Sequence, residues 1–266
     1  MTVGSGGVEY ENRVLATIKP QIKKLSNFSI KEGSTTAAFS ANEPDLQLVA
    51  FGKIINIEIK QNAKAQMGGG SFNYDMKKKK YSLSAKTKID EVVEEKILDA
   101  LNKKRSDLNT LLEYVKDNDV NSLAQDVTGL PLRATKDMWE ELTKKRLLVP
   151  LNEKVETDIN FLYDHYEHKK CFYIQVGGAG FFYLKQNPLN LPIPQLTTTF
   201  VIELRLGRAG SKYVANIKKN VASGNIRAQG RMGGRNISSP YSLDKSGDFT
   251  ALFGNLSKTQ IESAFR

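Results

Sequence analysis

The chain has 266 residues, of which 40% are hydrophobic and 26% charged, the mixture of a globular protein long enough to bury one large core or two modest ones. No run of eighteen apolar residues is available to span a membrane, Met1 to Gly7 lacks the apolar stretch of a secretory signal, and the single cysteine, Cys171, excludes an internal disulfide and a cysteine-rich zinc site. The net charge of +10 favours polyanionic partners without naming one.

Residues 8 to about 19 predict a helix, which Pro20 ends or kinks because it lacks a backbone donor. Asp45 to Phe51 alternates in polarity and Lys53 to Lys60 is rich in isoleucine, so both read as strands. Gly52-Lys53 between them predicts the turn of a hairpin. Residues 67 to 80, with Gly68-Gly69-Gly70-Ser71 and four consecutive lysines from Lys77, predict a loop or hairpin tip next to something anionic. Apolar residues recur at three and four over 88 to 118, from Ile89 to Val115, and again over Thr135 to Leu148 around Trp139; both predict helices. Cys171 to Val176, Phe181 to Leu184 and Thr198 to Leu206 return to strand character, punctuated by Gly177, Gly178 and Gly180. Helix, strands, helices, strands is the order of a mixed α/β or α+β core around a central sheet. The expected divisions are 1–85, 86–170 and 171–266, the last β-rich and basic.

Three acids and a lysine stand out. In a strand ending at Lys60, Ile55, Ile57 and Ile59 point one way and Asn56, Glu58 and Lys60 the other. Glu58 and Lys60 therefore share a face, two residue rises or roughly 7 Å apart. If the two strands pair, Asp45 approaches Glu58. Two adjacent carboxylates repel unless a cation or a proton intervenes, and hard divalent ions such as Mg²⁺ favour such oxygens. On the first helix Val8, Glu11, Leu15 and Ile18 fall within one arc. Glu11 thus lies on the apolar stripe, where a lone carboxylate is costly and needs a partner.

Pro44-Asp45, followed after twelve residues by Glu58-Ile59-Lys60, resembles the signature of the PD-(D/E)XK nuclease superfamily, which includes restriction endonucleases, resolvases, homing endonucleases and phage exonucleases. Gly7-Val8-Glu9-Tyr10-Glu11 resembles the start of its first helix, which often carries a supporting acid. The resemblance covers residues 11 to 60. It implies a restriction-endonuclease-like core, a central mixed sheet flanked by helices with further helical and β elements. It also implies that Asp45 and Glu58 ligate Mg²⁺ (or Mn²⁺) with the Ile59 carbonyl, and that Lys60 orients or activates the attacking water. Glu11 would support the metal site or a second ion, and Gln61 and Gln66 would contact substrate or water. Acid-x-Lys recurs at Asp75-Met76-Lys77 and Glu94-Glu95-Lys96. The latter lies in a helical pattern, where i and i+2 point apart, and the former has no strand pattern around it.

From Arg205 to Arg235 there are eight basic residues and no acidic one, among them Arg227, Arg231 and Arg235. They suit a phosphate-tracking surface or flexible arm along DNA, the alternative being a solvated basic sheet edge that resists aggregation. His165 and His168 lie in a charged stretch near Cys171 with no second ligand cluster, which makes them surface or structural histidines. The glycines at 177, 178 and 180 make no dinucleotide fingerprint, and no phosphate loop of the Walker type is present. The expectation is a Mg²⁺-dependent DNA endonuclease, cytoplasmic (in the host cell if phage-encoded) and dimeric if two-fold symmetry matches two antiparallel strands. The rivals are an exonuclease or structure-specific resolvase on the same core, and a non-catalytic nucleic-acid-binding protein.

Overall fold

The alternation of Leu46–Ala50 against the isoleucines of Lys53–Lys60 dictates a hairpin, and the two segments pair antiparallel as β2 and β3. The computed structural model describes residues 5–31, 44–67, 69–75, 80–83, 91–103, 129–134, 144, 154–167, 169–206, 208–209, 212–218, 221–233 and 237–265. Ala50 pairs with Lys53, so the turn residues are Phe51 and Gly52 rather than Gly52 and Lys53. Both have positive φ, 47° and 77°, as the mirror-image turn that matches strand twist requires. Phe51 tolerates that backbone while its ring packs edge-on against Phe28, 6.3 Å between centroids.

The chain divides into two units, residues 1–67, 158–200 and 231–266, and residues 68–157 and 201–230. These cut across the three successive stretches expected from the sequence, because the chain leaves the first unit after β3 and returns to it before residue 158. The excursion is a connection that parallel neighbours need: β3 pairs parallel with β8 (Cys171–Val176), and a parallel pair cannot be joined by a tight turn.

In the first unit, β1 (Phe28–Ile30), β2, β3, β8 and β9 (Gly180–Tyr183) form one mixed sheet in that order. Helix α1 (Ser5–Ile22) lays Val14, Leu15, Ile18 and Ile22 against Ile55, Ile57 and Ile59, all buried. Burial of each such side chain contributes about 1.5–3 kcal/mol. Phe249 and Phe253 of helix α4 (Asp248–Phe253) and Ile261 of helix α5 (Lys258–Ala264) complete this core. Helix α3 (Asn160–Glu167) enters β8 through a turn in which Lys170 adopts φ 52°. Pro20 does not end α1, which runs on to Ile22. Ala16, whose carbonyl loses its donor, and Pro20 are both exposed residues in the C-terminal part of the helix. Gln21, 6% exposed, turns its Oε1 to the Gly247 and Thr250 amides, at 3.1 and 3.2 Å, and so caps α4 from outside.

The second unit holds helix α2 (Glu91–Lys103) and an eight-stranded sheet. Its strands are β4 (Gly69–Asp75), β5 (Lys80–Leu83), β6 (Gly129–Ala134), β7 (Lys154–Thr157), β10 (Phe200–Leu206), β11 (Arg208–Ala209), β12 (Lys212–Lys218) and β13 (Val221–Met232). The stretch expected as a loop or hairpin tip belongs to a β4–β5 hairpin, but its glycines are strand and not tip: Gly69, Gly70 and Ser71 pair with Gln229, Ala228 and Arg227. The basic stretch, expected as a DNA-tracking surface or arm or else as a basic sheet edge, is strand over residues 205–206, 208–209, 212–218 and 221–232. Pro131 sits in β6 on the flank of β12, where a missing donor is tolerated. Gly68, Lys77 to Lys79, the segment from Leu108 to Val115, Trp139, His168 and Arg235 lie outside the described residues.

Candidate active site

The hairpin register sets the site. Leu46 pairs with Ile57, so one step further places Asp45 opposite Glu58. Ile57 and Ile59 are buried in the α1 core, and pleating sends Asn56, Glu58 and Lys60 to the other face. Asp45 precedes β2, and its Oδ2 accepts from the Ile59 amide at 2.8 Å, which ties the carboxylate to the neighbouring strand. Lys60 Nζ donates to that same Oδ2 at 3.2 Å and to Glu58 Oε1 at 2.5 Å. One ammonium therefore bridges two carboxylates.

Burial is deep. The Glu58 side chain is 3% exposed and that of Lys60 15%. Burial alone would favour neutral Lys60, but Glu58 and Asp45 outweigh it and hold the ammonium above the usual lysine range. Lys60 is thereby held as a cation, a hydrogen-bond donor and a source of positive charge beside the two carboxylates. Asp45 is pushed above the usual carboxylate range by burial and then by Glu58, against the pull of Lys60 and the Ile59 amide.

Tyr166, Lys169 and Cys171 were not among the site residues expected from the sequence. Lys169 Nζ lies 3.6 Å from Glu58 Oε1, with its side chain 11% exposed. The stretch from His165 to Cys171 looks like charged surface in one dimension. Only the parallel pairing of β8 beside β3 turns it toward Glu58. The phenol of Tyr166 and the thiol of Cys171 are raised well above their usual ranges, by burial first and then by Glu58. Both are neutral neighbours of the carboxylate, and the thiol is no nucleophile in that state. His165 is half-buried on α3 with its ring 5.0 Å from that of Tyr166.

Glu11 is half-buried on α1, within electrostatic reach of Asp45, Lys60 and Glu58. Burial, then Asp45 and Glu58, push it up to about 7, with Lys60 opposing. A carboxyl raised in the folded state contributes stability that is complete below its unfolded value of 4.5 and is lost as pH rises through 7. Glu11→Gln removes that dependence. The variant is expected to melt above wild type at pH 8, with the gap closing toward pH 4.5. Parallel melting curves for the two proteins across that range would show that Glu11 is not held in this field.

Gln61 and Gln66 follow β3 and are exposed. The Gln61 side chain lies against Gly6 and its carbonyl against Gly177, close enough that a methyl group at either glycine would collide with it. Arg231 is half-buried, and its guanidinium donates to the Lys64 carbonyl. It therefore fastens the loop that carries Gln61 and Gln66. Arg227 is paired opposite Ser71 in the second unit; its side chain lies outside the described residues. Of the other acid-x-Lys triplets, Glu94 to Lys96 lies in α2, where the spacing separates the groups, and Met76 and Lys77 lie outside the described residues.

A second polar cluster braces the start of α1. Gln175 of β8, fully buried, donates through Nε2 to Tyr10 Oη and Ser242 Oγ, both at 2.9 Å, and accepts from the Leu243 amide at 2.8 Å. Tyr10 donates to Asp244 Oδ2 at 2.9 Å. This network fixes the helical turn that carries Glu11 to a central strand.

No protein-family model matches this sequence, and no curated protein does. Among solved structures the chain has a likeness to HhaI endonuclease in complex with DNA, at 11% identity and a TM-score of 0.35, over 95% of this chain and 98% of that one. A likeness at that score carries no argument for fold or function. The mixed α+β architecture stands on the strand pairing described above, and no helix among the described residues is long and apolar enough to cross a membrane.

Proposed function

We propose that this protein is a metal-dependent DNA endonuclease that hydrolyses phosphodiester bonds at Asp45, Glu58 and Lys60. The observation that carries the reading is the Glu58 carboxylate. It is almost fully buried beside Asp45, and its Oε2 meets no donor of good hydrogen-bond geometry among the described residues, although the Tyr166 hydroxyl lies within reach of the carboxylate. A buried carboxylate oxygen is expensive to leave unmatched, and a hard cation is the partner such an oxygen suits.

The donor set fits Mg²⁺, with Mn²⁺ as a substitute. Asp45 and Glu58 would hold the ion, with the Ile59 carbonyl and substrate oxygens completing its shell. Mg²⁺ commonly takes one or two carboxylates plus phosphate oxygens. Glu11, within electrostatic reach of both carboxylates, would support the metal site or a second ion. The chemistry that Mg²⁺ supplies when bound is a lowered pKa for water and compensation of charge at phosphorus. Lys60, released from bridging the carboxylates, donates to the attacking water and adds positive charge beside the phosphate. Gln61 and Gln66 contact the substrate from the following loop. The net charge of +10 draws in the DNA backbone, with Arg227, Arg231 and Arg235 among the phosphate contacts. Cutting both strands favours a homodimer, whose two-fold axis matches the duplex.

Incubation with circular and linear DNA plus Mg²⁺ tests this. Circular DNA is expected to be opened. Degradation of linear DNA alone would make the protein an exonuclease, and no change in either form with Mg²⁺ or Mn²⁺ would leave a binding protein.

A further inference from the structure

Lys60 accounts for only half of the positive charge around Glu58. Lys169 is fixed at three points. Its backbone amide donates to the Tyr166 carbonyl at 3.0 Å, its carbonyl accepts from Asn56 Nδ2 at 2.9 Å, and its ammonium lies 5.4 Å from the centre of the Tyr166 ring. Asn56 is in turn held by Gln47 Nε2 at 2.9 Å, a cross-strand contact on the same sheet face. The ammonium so placed meets Glu58 Oε1 at 3.6 Å, the same oxygen that Lys60 meets at 2.5 Å. Both lysines therefore approach the same Glu58 oxygen, Oε1, and neither meets Oε2. The two ammonium groups match the charge of the Asp45 and Glu58 carboxylates, with Glu11 as a third carboxyl in their field.

We infer that Lys169 is a charge-balancing and positioning residue that makes the carboxylate pair neutral, so that a divalent ion binds weakly alone and firmly only together with an anionic phosphodiester. The inference rests on the nuclease reading above. A divalent ion entering a neutral, mostly buried site carries uncompensated charge, which a low-dielectric surrounding penalises. A phosphodiester of the substrate brings negative charge to offset it. Lys169 also keeps Oε1 occupied when Lys60 departs, so Oε2 remains the oxygen turned to the ion. The device would limit metal loading, and with it misplaced hydrolysis, to chains already seated on DNA.

The test is Mn²⁺ binding to the full chain without DNA, read from the loss of the free-ion electron paramagnetic resonance signal. Lys169→Met is expected to bind Mn²⁺ about tenfold more tightly than wild type, because one unit of opposing charge is gone. Lys169→Arg, which keeps the charge, is expected to bind as weakly as wild type. Thermal melting of each variant establishes that it is folded, and where Lys169→Met melts below the assay temperature, Lys169→Gln takes its place with the same expectation. Equal or weaker binding by the charge-removing variant overturns the inference. Mn²⁺ binding that Glu58→Gln abolishes but Lys169→Met leaves unchanged overturns the charge balance while sparing the nuclease site. Absence of Mn²⁺ binding to every form, with or without duplex DNA, overturns both.

Discussion

Lys60→Met is expected to lower DNA cleavage by about 10³-fold, the scale on which a single preorganised charge acts on a developing oxyanion. Its DNA binding, measured with Ca²⁺ in place of Mg²⁺, should stay near wild type. The variant is chosen for what it leaves in place. Asp45 keeps the Ile59 amide at 2.8 Å and Glu58 keeps Lys169 at 3.6 Å, so neither carboxylate is stranded. Glu58→Gln should abolish cleavage as well, but it removes the buried charge that both Lys60 and Lys169 face. Breaking a buried pair in that way costs about 3–5 kcal/mol, so its loss of activity must be read beside its melting temperature. Asp45→Asn falls between the two. Cleavage by Lys60→Met at the wild-type rate, in a protein that melts normally, would remove Lys60 from the chemistry.

Gly177→Ala is expected to be the most damaging single methyl group near the site. A Cβ there would stand 2.0 Å from the Gln61 carbonyl oxygen and 2.9 Å from Tyr10 Cζ. The Gly177 amide donates to the Lys60 carbonyl at 2.8 Å, so the two strand ends cannot separate to make room without losing that bond. Overpacking against backbone costs about 1–3 kcal/mol, and for a chain of this length that lowers the melting temperature by about 2–12 °C. The displaced groups are those that continue from Lys60, so cleavage should fall further than stability alone explains. Gly178→Ala is the control. It meets open space but has φ 77°, and should cost only about 1 kcal/mol with activity retained. If Gly177→Ala melts with Gly178→Ala, the close approach at the end of β3 is not a constraint.

The turn of the β2–β3 hairpin shows how far local signals carry. Glycine at 52 was legible, but the turn takes Phe51 as its other residue, at φ 47°. A phenylalanine is not a turn signal, and the contact with Phe28 that accompanies it comes from a different strand. Pro20 likewise reads as a stop, yet α1 continues two residues past it, where Ile22 packs into the core. The glycines at 69 and 70 read as a flexible loop, yet they pair with β13 across more than a hundred residues of sequence. Pairing partners so distant leave no local trace.

What the sequence by itself determined is the half of the site that lies within one hairpin. Alternation fixes which residues of β3 face away from the core, and the spacing of Asp45 to Glu58 fixes their approach once the strands pair. A strand repeats every two residues, so one correctly placed isoleucine settles the face of its neighbours. The helical period places Glu11 on the inward stripe for the same reason. What only the tertiary structure decided is everything contributed by β8. Parallel pairing with β3 brings Tyr166, Lys169 and Cys171 to Glu58, and Gln175 to Tyr10, across separations of more than a hundred residues. That register is set by the packing of two sheet faces against different helices, a long-range balance with no sequence period to reveal it.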